Sequence, residues 1–403
     1  MRKTQRSALW QWLLCLALLA AYTAAVGWLH WQQYHAHDWL YNSDLLNHLS
    51  FSRLGISSYS LVGLVLYPLY TVGGYPVLVA LLGVLHAAAI VLFAAGLRRW
   101  APAVPWPMAL AAATLGSVAQ AVWMPRGGYW FRGTITGSIF HNTTYIALAP
   151  VVLGFLPVFC PLWQQRRTRV APWRWLACTA LLTLSTAIKT NFVIAFAPAL
   201  LCMLIVDLWQ TRGKNLWREV TLGCMVLPSI AVAMVQSAVM FTEENDSHLL
   251  PFFLVEFDRL EMPWGPFNRA GVLGILRSLV FVAAVALLLR GAWKHTGYRV
   301  AWASFAVAVA EAVLLMEDGY RMYHANLWWG PFICFLLVWV ESTGAWLQQA
   351  VQWRHGTRDR RTAVRLAVCG AAWVWHVVSG ICFLVLLMQG KDFNIPIETY
   401  RLW

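Results

Sequence analysis

The sequence predicts an all-α membrane protein, a polytopic transmembrane helical bundle without a large soluble domain. Of its 403 residues, 60% are apolar and only 12% are charged. The apolar residues are grouped in runs of about 20, the length at which an α-helix crosses a bilayer, and short polar joints separate the runs. A soluble protein has no core that would bury so many such runs. We therefore expect a single transmembrane domain over residues 1–403.

About eleven spans are expected in chain order. They are 8–29, 75–97, 107–124, 143–163, 172–188, 190–208, 220–241, 270–290, 299–316, 327–346 and 365–388. The first run has no convincing small-residue cleavage site, so we interpret it as an uncleaved span and not as a signal peptide. The stretch 59–74 is short and is broken by Pro68 and two glycines. We expect it to be a re-entrant or interfacial segment.

The basic residues support this topology. Twenty of the 30 lysines and arginines fall in the expected inner joints, whereas only four of the 17 acidic residues lie on that side of the membrane, in the joints or at the adjoining ends of spans. The inner joints are 2–6, 98–99, 166–174, 212–218, 290–299 and 354–365. Because Lys and Arg are enriched on the cytoplasmic side of membrane proteins, we expect a cytoplasmic N-terminus and an outside C-terminus, in a bacterial inner membrane. The basic residues form no patch, so the net charge of +13 does not indicate nucleic-acid binding.

The longer and less regular segments lie on the expected outer side. Those predicted to form the active face are 30–60, 125–142, 242–269 and 317–326. In the first, Asp44 and His48 are four residues apart and share a face if a helix capped by Asn42 or Ser43 begins there. A carboxylate and an imidazole so placed are typical of a catalytic base and its orienting partner, or of two metal ligands. Asp44 and His48 are our candidate catalytic residues; a solvated loop is the alternative.

The same loop contains the run HAHD, whose spacing resembles a metal site. His35, His37 and Asp38 are the candidate ligands, and a divalent ion such as Mg²⁺ or Mn²⁺ is the expected cofactor. The run is short, and a solvated loop is again the alternative. A metal becomes unnecessary if enough cationic side chains converge on the substrate.

Other outer segments supply cations and hydrogen-bond donors. The candidate phosphate-binding residues are Arg132, His141, Asn142, Lys189, Arg321 and His324. Glycines near the first of these let backbone N–H groups approach an anion, and arginines pair with phosphate oxygens. Lys189 lies in a tight turn between two spans, where an ammonium either reaches to the interface or meets an anion. Arg321 and His324 are three residues apart and precede two tryptophans; an interfacial aromatic belt is the alternative.

These features resemble the GT-C superfamily of integral membrane glycosyltransferases. The resemblance rests on an acid-bearing first outer loop, a bundle of many spans and basic residues on the outer face, and Asp44 stands where the first-loop aspartate of that superfamily stands. The sequences HNTTY, IKTNF and EDGYRMYHANLWWG are also similar to uncharacterised bacterial membrane proteins with HNPT-type and KPSF-type signatures, found among cell-surface polysaccharide genes. The resemblance implies transfer of a sugar from a polyprenyl-phosphate-linked donor to a lipid-linked or surface glycan acceptor, on the non-cytoplasmic face.

Other functions compete with this interpretation. A polysaccharide polymerase or ligase shares the substrate class and the side of the membrane, but acts through paired arginines. A lipid or glycolipid transporter or flippase places charges at mid-membrane in broken helices. In this sequence Glu311 is the main mid-span charge, with His86 and His376 as weaker examples. A non-enzymatic scaffold would not need the clustered outer histidines.

Overall fold

The computed structural model is a helical bundle, as the sequence predicts. It describes residues 2–35, 41, 43–123, 134–240, 249–251, 269–317, 326–356 and 358–390. The helices are α1 (Arg2–His35), α2 (Leu45–Arg53), α3 (Leu61–Trp100), α4 (Trp106–Gly116), α5 (Thr143–Gln165), α6 (Pro172–Ile188), α7 (Asn191–Thr211), α8 (Leu216–Gly223), α9 (Leu227–Met240), α10 (Arg269–Leu288), α11 (Thr296–Leu314), α12 (Trp329–His355) and α13 (Arg360–Met388). Two short antiparallel strands, β1 (Leu249–Pro251) and β2 (Leu315–Glu317), pair with each other.

Eight helical segments in the described part of the chain are long and apolar enough to cross a membrane. They are Leu9–His35, Leu61–Trp100, Thr143–Gln165, Asn191–Thr211, Leu216–Met240, Thr296–Leu314, Asn326–His355 and Arg360–Met388. The expected spans 172–188 and 270–290 are helical, but their apolar stretches are shorter than these eight. Large apolar side chains cover the outside of the bundle; Trp209 and Trp217, for example, are 82% and 79% exposed. We therefore treat the chain as an integral membrane protein.

The expected span 107–124 is helical only in its first half. α4 ends at Gly116, and residues 117–123 are not helical, although residues 118–122 are buried. The 11 residues of α4 rise only about 16 Å, roughly half of the hydrocarbon thickness of a bilayer. The prediction of a helical span is therefore wrong beyond Gly116.

Side chains and carbonyls of α10 and α13 satisfy the backbone where α4 ends. The N–H groups of Gln120 and Val122 donate to the carbonyls of His376 (3.1 Å) and Arg277 (3.2 Å). In return, Arg277 Nε donates to the Val122 carbonyl at 2.7 Å, and His376 Nδ1 lies 2.6 Å from the Gln120 carbonyl. Irregular backbone inside a membrane bundle is stable only where protein neighbours supply such partners.

A second non-helical segment, residues 134–140, runs beside the first and leads into α5. Thr136 Oγ1 donates to the Ala119 carbonyl at 3.1 Å, and the N–H of Ile135 donates to Ser278 Oγ at 2.7 Å. On the other side, a Cβ atom at Gly380 of α13 would lie 1.6 Å from the Val118 carbonyl oxygen. Only a glycine at this position lets α13 approach the irregular segment.

The segment 59–74 forms a helical arm that a kink separates from the rest of α3. Ser60 caps the arm, since its Oγ accepts from the N–H of Gly63 at 3.0 Å. The helix breaks at Gly73 and Gly74, and Gly74 has φ +64° and ψ −157°. That conformation is essentially restricted to glycine. The re-entrant or interfacial placement of this segment in the membrane stays a prediction.

Buried ion pairs hold the helices together at one end of the bundle. Glu341 of α12 is 1% exposed and accepts from the guanidinium of Arg99 in α3. Asp207 of α7 is equally buried and pairs with Arg166 and Arg167, which follow α5. Removal of one partner from a buried pair leaves an uncompensated charge, so these pairs fix the helix ends relative to one another.

Candidate functional site

The other end of the bundle brings together five of the predicted site residues. These are Asp44, His48, His141, Asn142 and Lys189. The chain presents them from three places: the start of α2, the segment that leads into α5, and the turn between α6 and α7. Helix packing, not closeness in sequence, therefore assembles the cluster.

Two hydrogen bonds hold Asp44 against the start of α5. Its backbone N–H donates to the His141 carbonyl at 2.9 Å, and its Oδ2 accepts from Asn142 Nδ2 at 2.6 Å. Asp44 itself is the N-terminal cap residue of α2, and its side chain makes no capping bond. Ser43 is not the N-cap residue as expected, but its Oγ accepts from the N–H of Leu45, the first residue of α2, at 3.3 Å. Asn42 lies outside the described residues. The Asp44 carboxylate faces Asn142 because its own helix does not use it.

Asn142 has two tasks, and the sequence predicted neither of them. Its amide nitrogen binds Asp44, while its Oδ1 caps α5 by accepting from the N–H of Tyr145 at 2.9 Å. The hydroxyl of Thr144 also donates to Oδ1, at 2.7 Å. With both ends of the amide engaged, the side chain is fixed in orientation. Asn142, predicted to bind phosphate, is placed to orient the carboxylate.

Lys189 lies over an aromatic ring at the edge of the cluster. α6 ends at Ile188 because the backbone of Lys189 is extended, so the short turn before α7 presents its side chain. The Nζ atom lies 4.3 Å from the ring centroid of Trp329, the first residue of α12, and donates to Thr144 Oγ1 at 3.1 Å. A cation above an indole face is stabilised by the ring quadrupole. In the sequence Trp329 is the second of the two tryptophans that follow Arg321 and His324, and nothing there predicts its contact with Lys189.

Burial shifts the pKa values of the ionisable neighbours of Asp44. It lowers the pKa of His141 to about 4, and Asp44 opposes the shift. It also lowers the pKa of His48, with Lys189 acting in the same direction and Asp44 opposing. Burial lowers the pKa of Lys189 to about 8, again with Asp44 opposing. At neutral pH the two imidazoles are therefore uncharged, and Lys189 carries a positive charge beside the carboxylate.

A row of polar contacts positions the turn that carries Trp329. Asn191, at the start of α7, donates from Nδ2 to the Asn326 carbonyl at 2.9 Å. Asn326 Nδ2 in turn donates to Glu317 Oε2, at 2.6 Å, at the end of β2. Trp329 also contacts the ring of His141, with centroids 5.8 Å apart. The Trp329 ring, over which Lys189 lies, is thus positioned by the hydrogen bonds of Asn326 and by the ring of His141.

Several predicted site residues lie outside the part of the chain that the structure describes. Arg132, Arg321 and His324 are among them, and so are His37 and Asp38 of the expected metal site. His35 is described; it is exposed, its Nδ1 lies 2.8 Å from the Trp31 carbonyl, and its ring packs on Trp31. Within the described ranges, no three His, Cys, Asp or Glu side chains are grouped as metal ligands. The metal site stays a prediction.

Three comparisons with known proteins found no match to this chain. No family model matches this chain. No curated protein and no solved structure matches it either. The function is therefore argued from the site itself.

Proposed function

We propose that this chain is a membrane glycosyltransferase that acts in cell-surface polysaccharide assembly. In this proposal it takes a sugar from a polyprenyl-phosphate-linked donor and transfers it to a lipid-linked or surface glycan acceptor, on the non-cytoplasmic face. The observation that carries the proposal is the environment of the Asp44 carboxylate. Asn142 Nδ2 donates to its Oδ2 at 2.6 Å, and the cation of Lys189 is close enough to interact with it electrostatically. A fixed base next to a fixed cation is what transfer from a phosphate requires.

Each side chain has one role in the proposed reaction. Asp44 accepts the proton of the acceptor hydroxyl, whose oxygen forms the new bond to the anomeric carbon of the sugar. The bond from that carbon to the phosphate oxygen breaks, and its electron pair leaves with the phosphate. Lys189 stabilises the charge that develops there. The neutral imidazoles of His48 and His141 supply hydrogen bonds without competing with Lys189 for the anion.

Further cations are expected to complete the phosphate site. Arg132 precedes His141 and Asn142 in the sequence, and Arg321 and His324 precede Trp329; we propose that these three residues bind the remaining phosphate oxygens. The described residues of the cluster include one carboxylate, Asp44, and no three of their His, Cys, Asp or Glu side chains are grouped as metal ligands. A lone carboxylate does not fit Mg²⁺ or Mn²⁺, which prefer several oxygen ligands. The proposed reaction therefore has no metal-dependent step.

A polyprenyl chain needs an apolar route to the cluster. α2 packs on the first arm of α3, and the apolar side chains of Leu54, Ile56 and Leu64 in this region are 66%, 57% and 55% exposed. These three residues follow Asp44 and His48 in the sequence, between the end of α2 and the first turns of α3. We propose that the tail of the donor lies against this surface, so that its phosphate reaches Lys189 from the side of the bilayer.

The test is transfer of a labelled sugar from polyprenyl-phosphate donors by the purified protein in nanodiscs. Asp44→Asn keeps size and hydrogen bonding but removes the base, and we expect the rate to fall by about 10²–10⁴-fold. The matched control is Asp359→Asn. Asp359 caps α13 at the opposite end of the bundle, and asparagine caps equally well.

Three outcomes would contradict the proposal. Normal turnover by Asp44→Asn would remove Asp44 as the base and favour a polymerase or ligase that acts through arginines. An equal loss in Asp359→Asn would show that the effect is not local to the site. Movement of lipid across vesicles by the wild type, without transfer from any donor, would identify a flippase.

A further inference from the structure

Four polar side chains inside the bundle form one continuous row of hydrogen bonds between α1 and α3. The Tyr22 hydroxyl lies 3.2 Å from His86 Nδ1, and His86 Nε2 lies 3.3 Å from His30 Nε2. His30 Nδ1 lies 2.9 Å from Gln33 Oε1. Tyr22, His30 and Gln33 are 6%, 0% and 2% exposed. Ionisable groups at such positions in a membrane bundle are uncommon and usually functional.

The hydrogen bonds in this row have a single consistent direction. Because Gln33 Oε1 only accepts, His30 carries its proton on Nδ1, and its Nε2 is an acceptor. His86 must then donate from Nε2, which leaves its Nδ1 to accept from the Tyr22 hydroxyl. Every nitrogen of the two rings is used once. The row is therefore a chain of hydrogen bonds that all point in one direction, from the Tyr22 hydroxyl to the Gln33 amide oxygen.

The Tyr22 end of the row opens on a small cavity. The cavity has a volume of about 40 Å³, enough for water, and it is lined by Tyr22, His86, Ser117, Ser138 and Tyr145 among others. It lies where the helical backbone is interrupted, next to the end of α4 and beside the segment 134–140. The other end of the row, at Gln33, lies two residues before α1 ends. The row thus joins the middle of the bundle to the end where Asp44 lies.

We propose that Tyr22, His86, His30 and Gln33 form a proton relay between the cavity and that end of the bundle. A proton from cavity water reaches the Tyr22 oxygen while the hydroxyl proton passes to His86 Nδ1. The Nε2 proton of His86 then moves to His30 Nε2, and the Nδ1 proton of His30 passes to Gln33 Oε1. A proton leaves the Gln33 amide nitrogen to water at the same time, so the amide passes through its imidic-acid tautomer. One proton enters and one leaves, and the two imidazoles change tautomer. Imidazoles serve as proton shuttles for this reason.

This relay does not depend on the proposed glycosyl transfer. It uses none of the residues of the Asp44 cluster, and its chemistry is the movement of a proton alone. The same pair of facing Nε2 atoms would also suit two ligands of a transition metal, because both Nδ1 atoms have hydrogen-bonding partners. A relay requires a mobile proton between the rings, whereas a metal would replace it.

Solid-state NMR of the full chain in lipid bilayers, with ¹⁵N-labelled histidine, measures how fast the ring protons exchange with water. His376 is the internal reference. It is 1% exposed, its Nδ1 lies 2.6 Å from the Gln120 carbonyl, and its Nε2 accepts from the N–H of Phe281. We expect the ring protons of His30 and His86 to exchange at least about tenfold faster than that of His376, although buried groups normally exchange slowly.

The variants Tyr22→Phe and Gln33→Leu remove the hydrogen-bonding groups at the two ends of the row and keep side chains of similar size in the core. In the double variant the exchange of His30 should slow to the rate of His376, whereas His86, which itself lines the cavity, can still exchange with water there. An unchanged His376 resonance reports that the bundle is folded. Slow exchange in the wild type, or fast exchange of His30 that survives in the double variant, would overturn the relay. Stoichiometric zinc or copper in the purified protein, lost in His30→Gln, would replace it with a metal site.

Discussion

Asn142 connects the stability of a helix to the geometry of the candidate site. Its Oδ1 caps α5 and its Nδ2 holds Asp44, so one amide serves two neighbours. The two roles are separable, because serine caps a helix about as well as asparagine but has no second polar atom to reach the carboxylate. Substitutions at this position therefore distinguish folding from function.

Asn142→Ala should lower the free energy of unfolding by about 1 kcal/mol, since α5 loses its cap. Asn142→Ser should leave stability nearly unchanged. Both variants should lose sugar transfer to a similar extent, because both release Asp44. Thermal unfolding in detergent and the transfer assay measure the two effects. Full activity in Asn142→Ser would show that Asp44 does not need this bond.

The lowered pKa of Lys189 predicts a pH dependence. Above about pH 8 the amine loses its proton, and with it the charge that stabilises the leaving phosphate, so transfer should fall as the pH rises through that value. Lys189→Arg should remain active at higher pH, because a guanidinium stays charged and also stacks on Trp329. A pH–rate profile of both proteins is the measurement. Identical alkaline limbs would assign the titration to another group.

The same shift also affects stability. The pKa of Lys189 in the folded state is below its ordinary value of 10.5, so the protonated form opposes folding. The folded state should therefore become more stable as the pH rises from about 8 toward 10.5, and Lys189→Met should remove this dependence. Unfolding temperatures measured across this range test the sign.

At the residue scale the sequence predicted membership of the cluster better than roles within it. Asp44 and His48 were recognised from their spacing, and His141 and Lys189 from their places at the expected outer ends of spans. The contact of Lys189 with Trp329 was not predictable, because it joins residues 140 positions apart through the packing of α7 and α12. His86 was considered a weak mid-span exception, since its partner on another helix is invisible in the sequence.

At the scale of elements, glycines determine where helices bend. Gly74→Ala places a side chain at φ +64°, and we expect the free energy of unfolding to fall by about 1–3 kcal/mol. The matched control is Gly154→Ala in the middle of α5, where an added Cβ meets no atom within 4 Å. That change should be neutral or slightly stabilising. Equal effects of the two substitutions in thermal unfolding would mean that the kink in α3 is not held by Gly74.

The end of α4 shows what hydropathy does not detect. Residues 107–124 are apolar enough to be taken for a span, yet the helix ends at Gly116. The backbone of residues 120–123 binds His376, Arg277 and Ser379, which lie far along the chain. A prediction from local composition had no access to these partners. The other expected spans are helical over most of their length.

At the scale of the molecule, the two ends of the described chain lie at opposite ends of the bundle. Tyr41, just after α1, donates from its hydroxyl to the carbonyl of Met388, where α13 ends, at 3.4 Å. α1 has 34 residues, so its start lies about 50 Å from its end. Reporter fusions before Arg2 and after the C-terminus should give opposite signals, with the N-terminus cytoplasmic. Identical signals would require a different number of crossings.

The irregular segment 117–123 also constrains how the protein is made. Its hydrogen-bond partners on α10 and α13 are synthesised more than 150 residues later. When residues 117–123 leave the ribosome, the partners that their backbone has in the folded bundle are not yet made. The native conformation of this segment can therefore be completed only after α13 has been inserted. A chain that stops before α13 should be recognised by quality-control proteases, even though most of its helices are already in the membrane.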